Sequence, residues 1–173
     1  MSHAAQHVLA LARTIPDFPS PGVRFRDLTP VLADPDGLRV ACEALVAPFL
    51  GAFDVIAGVE ARGFAFGAAA AAFTGTGVLL VRKAGKLPGE TIGESYELEY
   101  GTARIEVHAD QLPAGTRVLV VDDVLATGGT LAATAALIER AGWRVAGLSV
   151  VLELAALGGR ERVGRDIHAV AAA

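Results

Sequence analysis

Short runs of aliphatic and β-branched residues recur along the chain, and longer segments with helical spacing of apolar residues separate them. Four runs predict strands, over residues 54–59, 77–81, 117–121 and 144–151. Helical patterns lie over residues 4–14, 35–50, 64–73 and 129–141. Strands that alternate with helices in this way predict an α/β fold built on an open, mostly parallel sheet flanked by helices.

Residues 82–110 break this alternation, because they are polar and rich in glycine. Side chains alternate on either side of Gly101 and Thr102, which predicts a hairpin with a two-residue turn. We interpret this segment as a flexible flap hairpin that leaves the sheet. The alternation predicts one face with Tyr96, Leu98 and Tyr100 and the opposite face with Ser95, Glu97 and Glu99.

Composition is consistent with one compact domain over residues 1–173, because 53% hydrophobic content can fill a sizeable core. The formal net charge of −4 gives no sign of attraction to nucleic acid or to a membrane surface. A single cysteine, Cys42, excludes an intramolecular disulfide. No segment has the pattern of a signal peptide or of a membrane span, so we expect a cytoplasmic protein.

Residues 118–130, which read VLVVDDVLATGGT, place two adjacent acids between a buried strand and a glycine-rich helix start. Asp122 and Asp123 stand at the carboxyl end of the strand, where open α/β sheets bind ligands. The loop that follows consists of Ala126, Thr127, Gly128, Gly129 and Thr130. Its backbone N–H groups and the helix dipole favour a phosphate, and the acids can accept hydrogen bonds from an attached ribose. Two bare acids could equally cap a helix.

Cations occur at two further points that suit a polyphosphate. A second strand–loop–helix corner contains Glu60, Ala61 and Arg62. A guanidinium can bind pyrophosphate with two parallel hydrogen bonds, and this corner is expected at the same sheet edge as the paired acids. A Gly/Pro-rich segment contains Arg82, Lys83 and Lys86. This segment is either a solvated basic loop or a loop that closes over a departing pyrophosphate and excludes water.

The thirteen residues 118–130 resemble the signature with which type I phosphoribosyltransferases bind 5-phosphoribosyl 1-pyrophosphate (PRPP). The resemblance implies the type I phosphoribosyltransferase fold, with a flap hairpin and a small N-terminal hood that binds the base. It implies that Asp122 and Asp123 bind the ribose and that the loop 126–130 binds the 5′-phosphate. The pyrophosphate would be bound by Glu60, Ala61, Arg62, Arg82, Lys83 and Lys86. In this family the corner at Glu60 and Ala61 commonly contains a cis peptide bond.

Two further blocks are similar to adenine phosphoribosyltransferases. Residues 94–101, ESYELEYG, imply that Glu99 is catalytic and handles the proton that the purine loses. Residues 18–32, FPSPGVRFRDLTPVL, imply the adenine pocket, in which Phe25 stacks on the base and backbone groups near Arg24 and Arg26 read its exocyclic amine. Leu154 is implied as a second apolar wall. Position 24 is usually apolar in this family, so Arg24 is a departure that leaves backbone recognition intact.

The resemblance extends from about residue 15 to residue 162 and implies purine salvage, in which PRPP and adenine give AMP and pyrophosphate. The catalytic set that it implies is Glu99, Asp122, Asp123 and Arg62. It also implies a homodimer and Mg²⁺, which the substrate diphosphate would chelate, with Asp122 and Asp123 as the available protein ligands.

Two alternatives remain open at this point. The phosphate-binding residues do not define the base, so the acceptor could be xanthine, hypoxanthine, guanine or orotate. A PRPP- or purine-sensing regulator with the same fold is less favoured, because about fifteen residues precede the similarity, which is too few for a DNA-binding region.

Overall fold

A seven-stranded sheet forms the centre of the protein in a computed structural model, which describes residues 1–18, 20–97 and 101–173. The strands are β1 (Arg13–Pro16), β2 (Arg24–Asp27), β3 (Val55–Val59), β4 (Gly77–Lys83), β5 (Thr91–Glu97), β6 (Thr102–His108), β7 (Arg117–Leu125), β8 (Arg144–Glu153) and β9 (His168–Ala172). The helices are α1 (His3–Leu11), α2 (Thr29–Ala33), α3 (Pro35–Val46), α4 (Arg62–Thr74), α5 (Gly129–Arg140) and α6 (Gly159–Val163). Short 3₁₀ turns cover Ala47–Phe49 and Ala155–Leu157.

The central sheet has the strand order β5-β6-β4-β3-β7-β8-β9. Strands β4, β3, β7, β8 and β9 are parallel, whereas β6 is antiparallel to both β4 and β5. The mostly parallel sheet is therefore confirmed. Strands β1 and β2 form a separate antiparallel ladder near the N-terminus.

Apolar side chains from both faces of the sheet build two core layers. Ala57 and Val120 belong to the layer that includes Ile138 of α5, while Ile56 and Leu119 belong to the layer that α1, α3 and α4 cover. Because both faces are covered, β3 is buried at every position, which explains its continuous apolar run.

Close approach of glycines brings α4 against the sheet beside the site. A Cβ on Gly58 would lie 2.8 Å from the carbonyl oxygen of Gly63, and a Cβ on Gly67 would lie 3.0 Å from the Cα of Gly58. The first distance is shorter than real Cβ atoms show and the second is tighter than most Cβ contacts, so glycine at these positions lets the backbones meet. As a result the first residue of α4, Arg62, stands at the edge of the sheet.

The predicted hairpin is confirmed, because β5 pairs with β6 in antiparallel fashion, but two of its details were wrong. Arg82 pairs with Glu106, and Lys83 pairs with Ile105, so the hairpin continues the sheet at β4 and is not an excursion from it. Thr102 pairs with Glu97, so it belongs to β6 and not to a two-residue turn. Residues 98–100 lie outside the described residues.

The predicted helix over residues 4–14 ends at Leu11, because Arg13 and Thr14 pair with β2. The predicted helix over residues 35–50 ends at Val46 and continues as a 3₁₀ turn that contains Pro48. Strand β9 was not predicted, and β7 extends to Leu125, past the predicted end. Among the described residues, no helix combines the length and apolar character that a membrane span requires.

Candidate active site

The ends of two neighbouring strands bring the predicted phosphate-binding segments together. Strand β3 pairs with β7 in parallel, with Gly58 opposite Val121. The corner that follows β3 and the acids near the end of β7 therefore lie at the same edge of the sheet, as the sequence predicts.

The paired acids are both buried, with 8% of each residue exposed. The Asp123 backbone N–H donates a hydrogen bond to Asp122 Oδ1 over 2.8 Å. Burial raises the pKa of Asp122 well above its ordinary value, and the neighbouring charge of Asp123 raises it further. Asp123 forms an ion pair with Arg62, with 2.5 Å between Oδ2 and Nε. The two carboxylates face one guanidinium, which leaves a site that favours additional positive charge.

Arg62 connects the acids to the N-terminal segment. Its guanidinium carbon lies 5.2 Å from the centre of the Phe25 ring, within the range of a cation–π contact. Two residues earlier, Glu60 accepts a hydrogen bond from the Lys83 backbone N–H over 2.8 Å and lies 3.5 Å from Arg82 Nε. The Glu60–Ala61 peptide bond is cis, as the family resemblance implies.

The three basic residues at the end of β4 and just after it have different positions. Lys83 lines the main cavity. Arg82 donates through Nη1 to the Lys86 carbonyl over 3.1 Å, and the Lys86 backbone N–H donates to Glu106 Oε1 over 3.2 Å. Neither Arg82 nor Lys86 is among the residues that line this cavity, so their assignment to pyrophosphate stays a prediction.

The glycine-rich loop forms a small cavity of about 70 Å³ at the start of α5. All five predicted loop residues line it, together with one of the acids: Asp122, Ala126, Thr127, Gly128, Gly129 and Thr130. Gly128 has a φ of 81°, which favours glycine. A Cβ on Gly128 would also collide with the carbonyl oxygen of Gly159. The size of the cavity and the helix N-terminus suit one phosphate group.

Strand β2 and the preceding Val23 line one side of the larger cavity, which has a volume of about 680 Å³. The predicted base-binding residues Arg24, Phe25, Arg26 and Leu154 line it, as do Glu60, Ala61, Arg62, Asp122 and Asp123. The acids and the predicted base pocket therefore share one space. Phe25 also contacts Phe18 edge to face, with ring centres 5.2 Å apart.

Asp27, a buried acid at the last residue of β2, holds the end of the β1–β2 ladder in place. Asp27 accepts hydrogen bonds from the hydroxyl and backbone N–H of Thr29 and from Arg13. These bonds lower the pKa of Asp27 to about 2, so it stays charged at neutral pH. Arg26 donates to the Thr14 hydroxyl over 2.6 Å, which joins the two strands.

Sequence reasoning missed several residues that line the larger cavity: Val23, Tyr96, Ala103, Ile105, Val124 and Leu157. The side-chain alternation in the hairpin could have found Tyr96, which it separates from the face of Glu97. The Tyr96 hydroxyl accepts a hydrogen bond from the Thr130 hydroxyl over 3.2 Å. The predicted catalytic Glu99 lies outside the described residues.

Among the described residues, no group of three or more acidic, histidine or cysteine side chains could by itself hold a metal ion. Asp122 and Asp123 therefore offer a partial set of oxygen ligands. Such a set fits Mg²⁺ that arrives with a phosphorylated substrate, because this ion keeps waters and uses few protein carboxylates.

Comparison with known proteins agrees with this geometry. Residues 42–167 match the phosphoribosyl transferase domain. The chain is 63% identical over 166 residues to the adenine phosphoribosyltransferase of Renibacterium salmoninarum, covering 95% of this chain and 91% of that protein. The crystal structure of adenine phosphoribosyltransferase from Rhodothermus marinus is 47% identical, with a TM-score of 0.92 and 98% of each chain covered. The Saccharomyces cerevisiae enzyme, solved in complex with adenine and an imino-altritol bisphosphate, is 36% identical, with a TM-score of 0.92 and coverage of 98% and 99%.

The match covers most of the chain and includes the corner after β3, the paired acids of β7 and the loop that begins α5. These are the segments that form the two cavities. The chain belongs to the phosphoribosyl transferase domain family.

Proposed function

We propose that this chain transfers the 5-phosphoribosyl group from PRPP to adenine and produces AMP and pyrophosphate, a purine-salvage reaction. The observation that carries the proposal is the shared cavity in which the acidic pair Asp122 and Asp123 faces Phe25 and Leu154. The relatives named above are adenine phosphoribosyltransferases, and the yeast relative was solved with adenine. Both findings favour adenine over the other bases.

The acidic pair orients the ribose through its hydroxyl groups. In a glycosyl transfer the ribose gains positive charge as the bond to pyrophosphate breaks, and the anomeric carbon inverts. Two buried carboxylates with one guanidinium partner stabilise that charge most strongly when it develops. The raised pKa of Asp122 supports this role, because burial and the neighbouring charge of Asp123 raise it more than the nearby Arg62 lowers it, so an added positive charge is favoured there.

The 5′-phosphate and the pyrophosphate of PRPP bind at different ends of the site. The loop of residues 126–130 binds the 5′-phosphate through backbone N–H groups at the start of α5. Arg62 and Lys83 stabilise the negative charge of the departing pyrophosphate. We assign Glu60, Ala61, Arg82 and Lys86 to the pyrophosphate as well, because Arg82 lies 3.5 Å from Glu60 and donates a hydrogen bond to the Lys86 carbonyl.

Adenine lies between the N-terminal hood, which contains β2, and the end of β8. Phe25 stacks on adenine and Leu154 covers the opposite side, while backbone groups near Arg24 and Arg26 bind its exocyclic amine. Glu99 takes up or relays the proton that the ring nitrogen loses when it becomes glycosylated.

Mg²⁺ belongs to the proposal because the substrate is a diphosphate. Asp122 and Asp123 are the protein carboxylates available to it, and Asp123 also pairs with Arg62 through Oδ2. When bound, the ion neutralises part of the charge on the leaving pyrophosphate.

We also propose that the chain is a single domain, that it acts in the cytoplasm and that it forms a homodimer. The homodimer is what the family resemblance implies. Sedimentation equilibrium at several concentrations tests this: the expected mass is twice that of the chain, and a single-chain mass at every concentration would contradict the dimer.

Nucleotide formation tests the proposed function directly. The protein is incubated with PRPP and Mg²⁺ and, in separate reactions, with adenine, hypoxanthine, guanine, xanthine or orotate, and products are separated by chromatography. AMP from adenine alone is expected. A different nucleotide would retain the PRPP assignment and refute the adenine assignment, and no nucleotide from any base would refute the transferase assignment. The Asp122→Asn, Asp123→Asn double variant serves as the inactive control.

A further inference from the structure

Arg162 of α6 connects the hairpin to the start of α5. Its Nη2 donates a hydrogen bond to the backbone carbonyl of Glu97, the last residue of β5, over 2.6 Å. On its other side, a Cβ added to Gly129 would lie 3.2 Å from the guanidinium carbon of Arg162. The guanidinium therefore lies between the phosphate loop and the described end of β5.

The backbone that carries Arg162 is itself packed against the phosphate loop. A Cβ on Gly159 would collide with the Ala126 carbonyl oxygen, and one on Gly128 would lie 3.0 Å from the Val163 side chain. These close contacts fix α6 relative to the loop. The helix that carries Arg162 therefore does not move independently of the phosphate loop.

Arg162 differs from its two neighbouring arginines in its partner. Arg160 forms an ion pair with Glu153, and Arg165 forms one with Glu139. Among the described residues, the Arg162 guanidinium donates its hydrogen bond to the Glu97 carbonyl and forms no ion pair. An ion pair at the surface therefore does not explain the position of Arg162. A cation beside the N-terminus of a helix is unfavourable until an anion binds there.

A second bond joins the same two elements. The Thr130 hydroxyl donates to the Tyr96 hydroxyl, so adjacent residues of β5 are both connected to the region around the phosphate loop. Residues 98–101 follow at once in the chain, and the proposed proton-handling Glu99 is among them. The position of the end of β5 therefore determines where this segment starts.

We propose that Arg162 is a positioning residue, which holds the end of β5 against the phosphate loop so that the hairpin and a bound 5′-phosphate keep one relative position during the reaction. The inference rests on the proposed function. Its chemistry is a hydrogen bond from a guanidinium to a backbone carbonyl, together with a positive charge that complements the phosphate across Gly129. Arg162 itself contacts neither the base nor the reacting carbon.

The test compares three variants by steady-state kinetics with adenine and PRPP. Arg162→Met keeps the length of the side chain but removes its donors and charge, whereas Arg162→Lys keeps one donor and the charge. Arg165→Met removes a nearby exposed arginine and is the matched control. Loss of a charged hydrogen bond predicts that Arg162→Met lowers kcat about tenfold and raises the KM for PRPP, with the KM for adenine changed less than twofold. Arg162→Lys is expected to recover at least half of the lost kcat on a logarithmic scale.

Hydrogen exchange supplies a readout of the connection itself. Arg162→Met is expected to speed exchange in peptides that contain the end of β5, while peptides from α3 are unchanged. Wild-type kcat and KM values in Arg162→Met would overturn the inference, and so would equal losses in Arg162→Met and Arg165→Met. If the wild-type protein forms no AMP, the proposed function fails instead, and the exchange experiment still reports whether Arg162 holds the strand.

Discussion

The buried position of the Asp122 carboxylate favours a cationic ribose but lowers the free energy of unfolding of the ligand-free protein. Its pKa is raised by burial and by the charge of Asp123, so the native state binds the Asp122 proton more tightly than the unfolded chain does. The free energy of unfolding consequently falls as the pH rises through the folded-state pKa of Asp122.

Asp122→Asn is therefore expected to raise the Tm of the free protein at neutral pH. Asparagine has no charge to lose, and its Oδ1 can still accept the Asp123 N–H bond. A gain of ~1 kcal/mol would raise the Tm by about 2–4 °C in a chain of this size. Calorimetry without PRPP or Mg²⁺ measures the difference, which should vanish below about pH 4, where the wild-type carboxyl is protonated in both states. A lower Tm for the variant at neutral pH would contradict this account.

Two glutamates near the end of the hairpin offer a comparison between a catalytic and a solvent-facing carboxylate. Glu99→Ala is expected to reduce turnover by roughly 10²- to 10⁴-fold, because it removes the group proposed to handle the purine proton. Glu97→Ala is the control, because the exposed Glu97 contributes its backbone carbonyl to the Arg162 bond and alanine retains that carbonyl. Rapid-quench measurement of AMP formation isolates the chemical step. A loss under threefold in Glu99→Ala would remove Glu99 from the mechanism.

The sequence predicts some of these residues because their chemistry is local. Asp122, Asp123 and the loop 126–130 form one continuous motif, and both line the cavities as the motif implies. Arg162 carries no such signal, because its partner is a backbone carbonyl 65 positions away. Any residue type provides that carbonyl, so only the folded chain identifies the contact.

At the scale of elements, the contact between α6 and the phosphate loop depends on the absence of side chains. Gly159→Ala is expected to lower both stability and PRPP binding, because the new Cβ would overlap the Ala126 carbonyl and lie 2.9 Å from the Leu125 side chain. Overpacking of this kind costs about 1–3 kcal/mol. The Tm should fall by several degrees, and the KM for PRPP should rise more than the KM for adenine.

Gly77→Ala is the matched control for this substitution. A Cβ on Gly77 would meet only the Val55 side chain, at an ordinary 3.7 Å. Both variants are measured by thermal unfolding and by steady-state kinetics. Equal effects in Gly77→Ala and Gly159→Ala would show that the packing of α6 has no special connection to the phosphate loop.

The predicted elements differ in how strongly their sequences specify them. Strands β3 and β7 are continuous apolar runs because both sheet faces are covered, and their pattern predicts them. Strands β1 and β2 read RTIP and RFRD, and they are formed largely by exposed or partly buried residues that pair with each other. The alanine-rich β9 has little intrinsic β preference and depends on β8 for pairing.

At the scale of the whole molecule, the site exists only when distant parts of the chain have assembled. The larger cavity draws residues from β2, the corner after β3, the hairpin, β7 and the segment after β8. A ligand that binds this cavity therefore stabilises the complete fold. The expected increase in the free energy of unfolding follows from mass action and depends on the ratio of ligand concentration to Kd.

PRPP with Mg²⁺, in the absence of adenine, is therefore expected to raise the Tm of the wild-type protein. At a PRPP concentration of one hundred times Kd the stabilisation is about 2.7 kcal/mol, which corresponds to roughly 5–10 °C in a chain of this size. The Asp122→Asn, Asp123→Asn double variant should melt cooperatively but lose most of this increase, because its neutral amides bind the ribose hydroxyls and Mg²⁺ more weakly than carboxylates do. Differential scanning calorimetry of both proteins, with Mg²⁺ alone as the reference, gives the comparison. An undiminished increase in the double variant would show that PRPP binding does not depend on the acidic pair, and PRPP would then have to be held through its phosphates by the phosphate loop and Arg62.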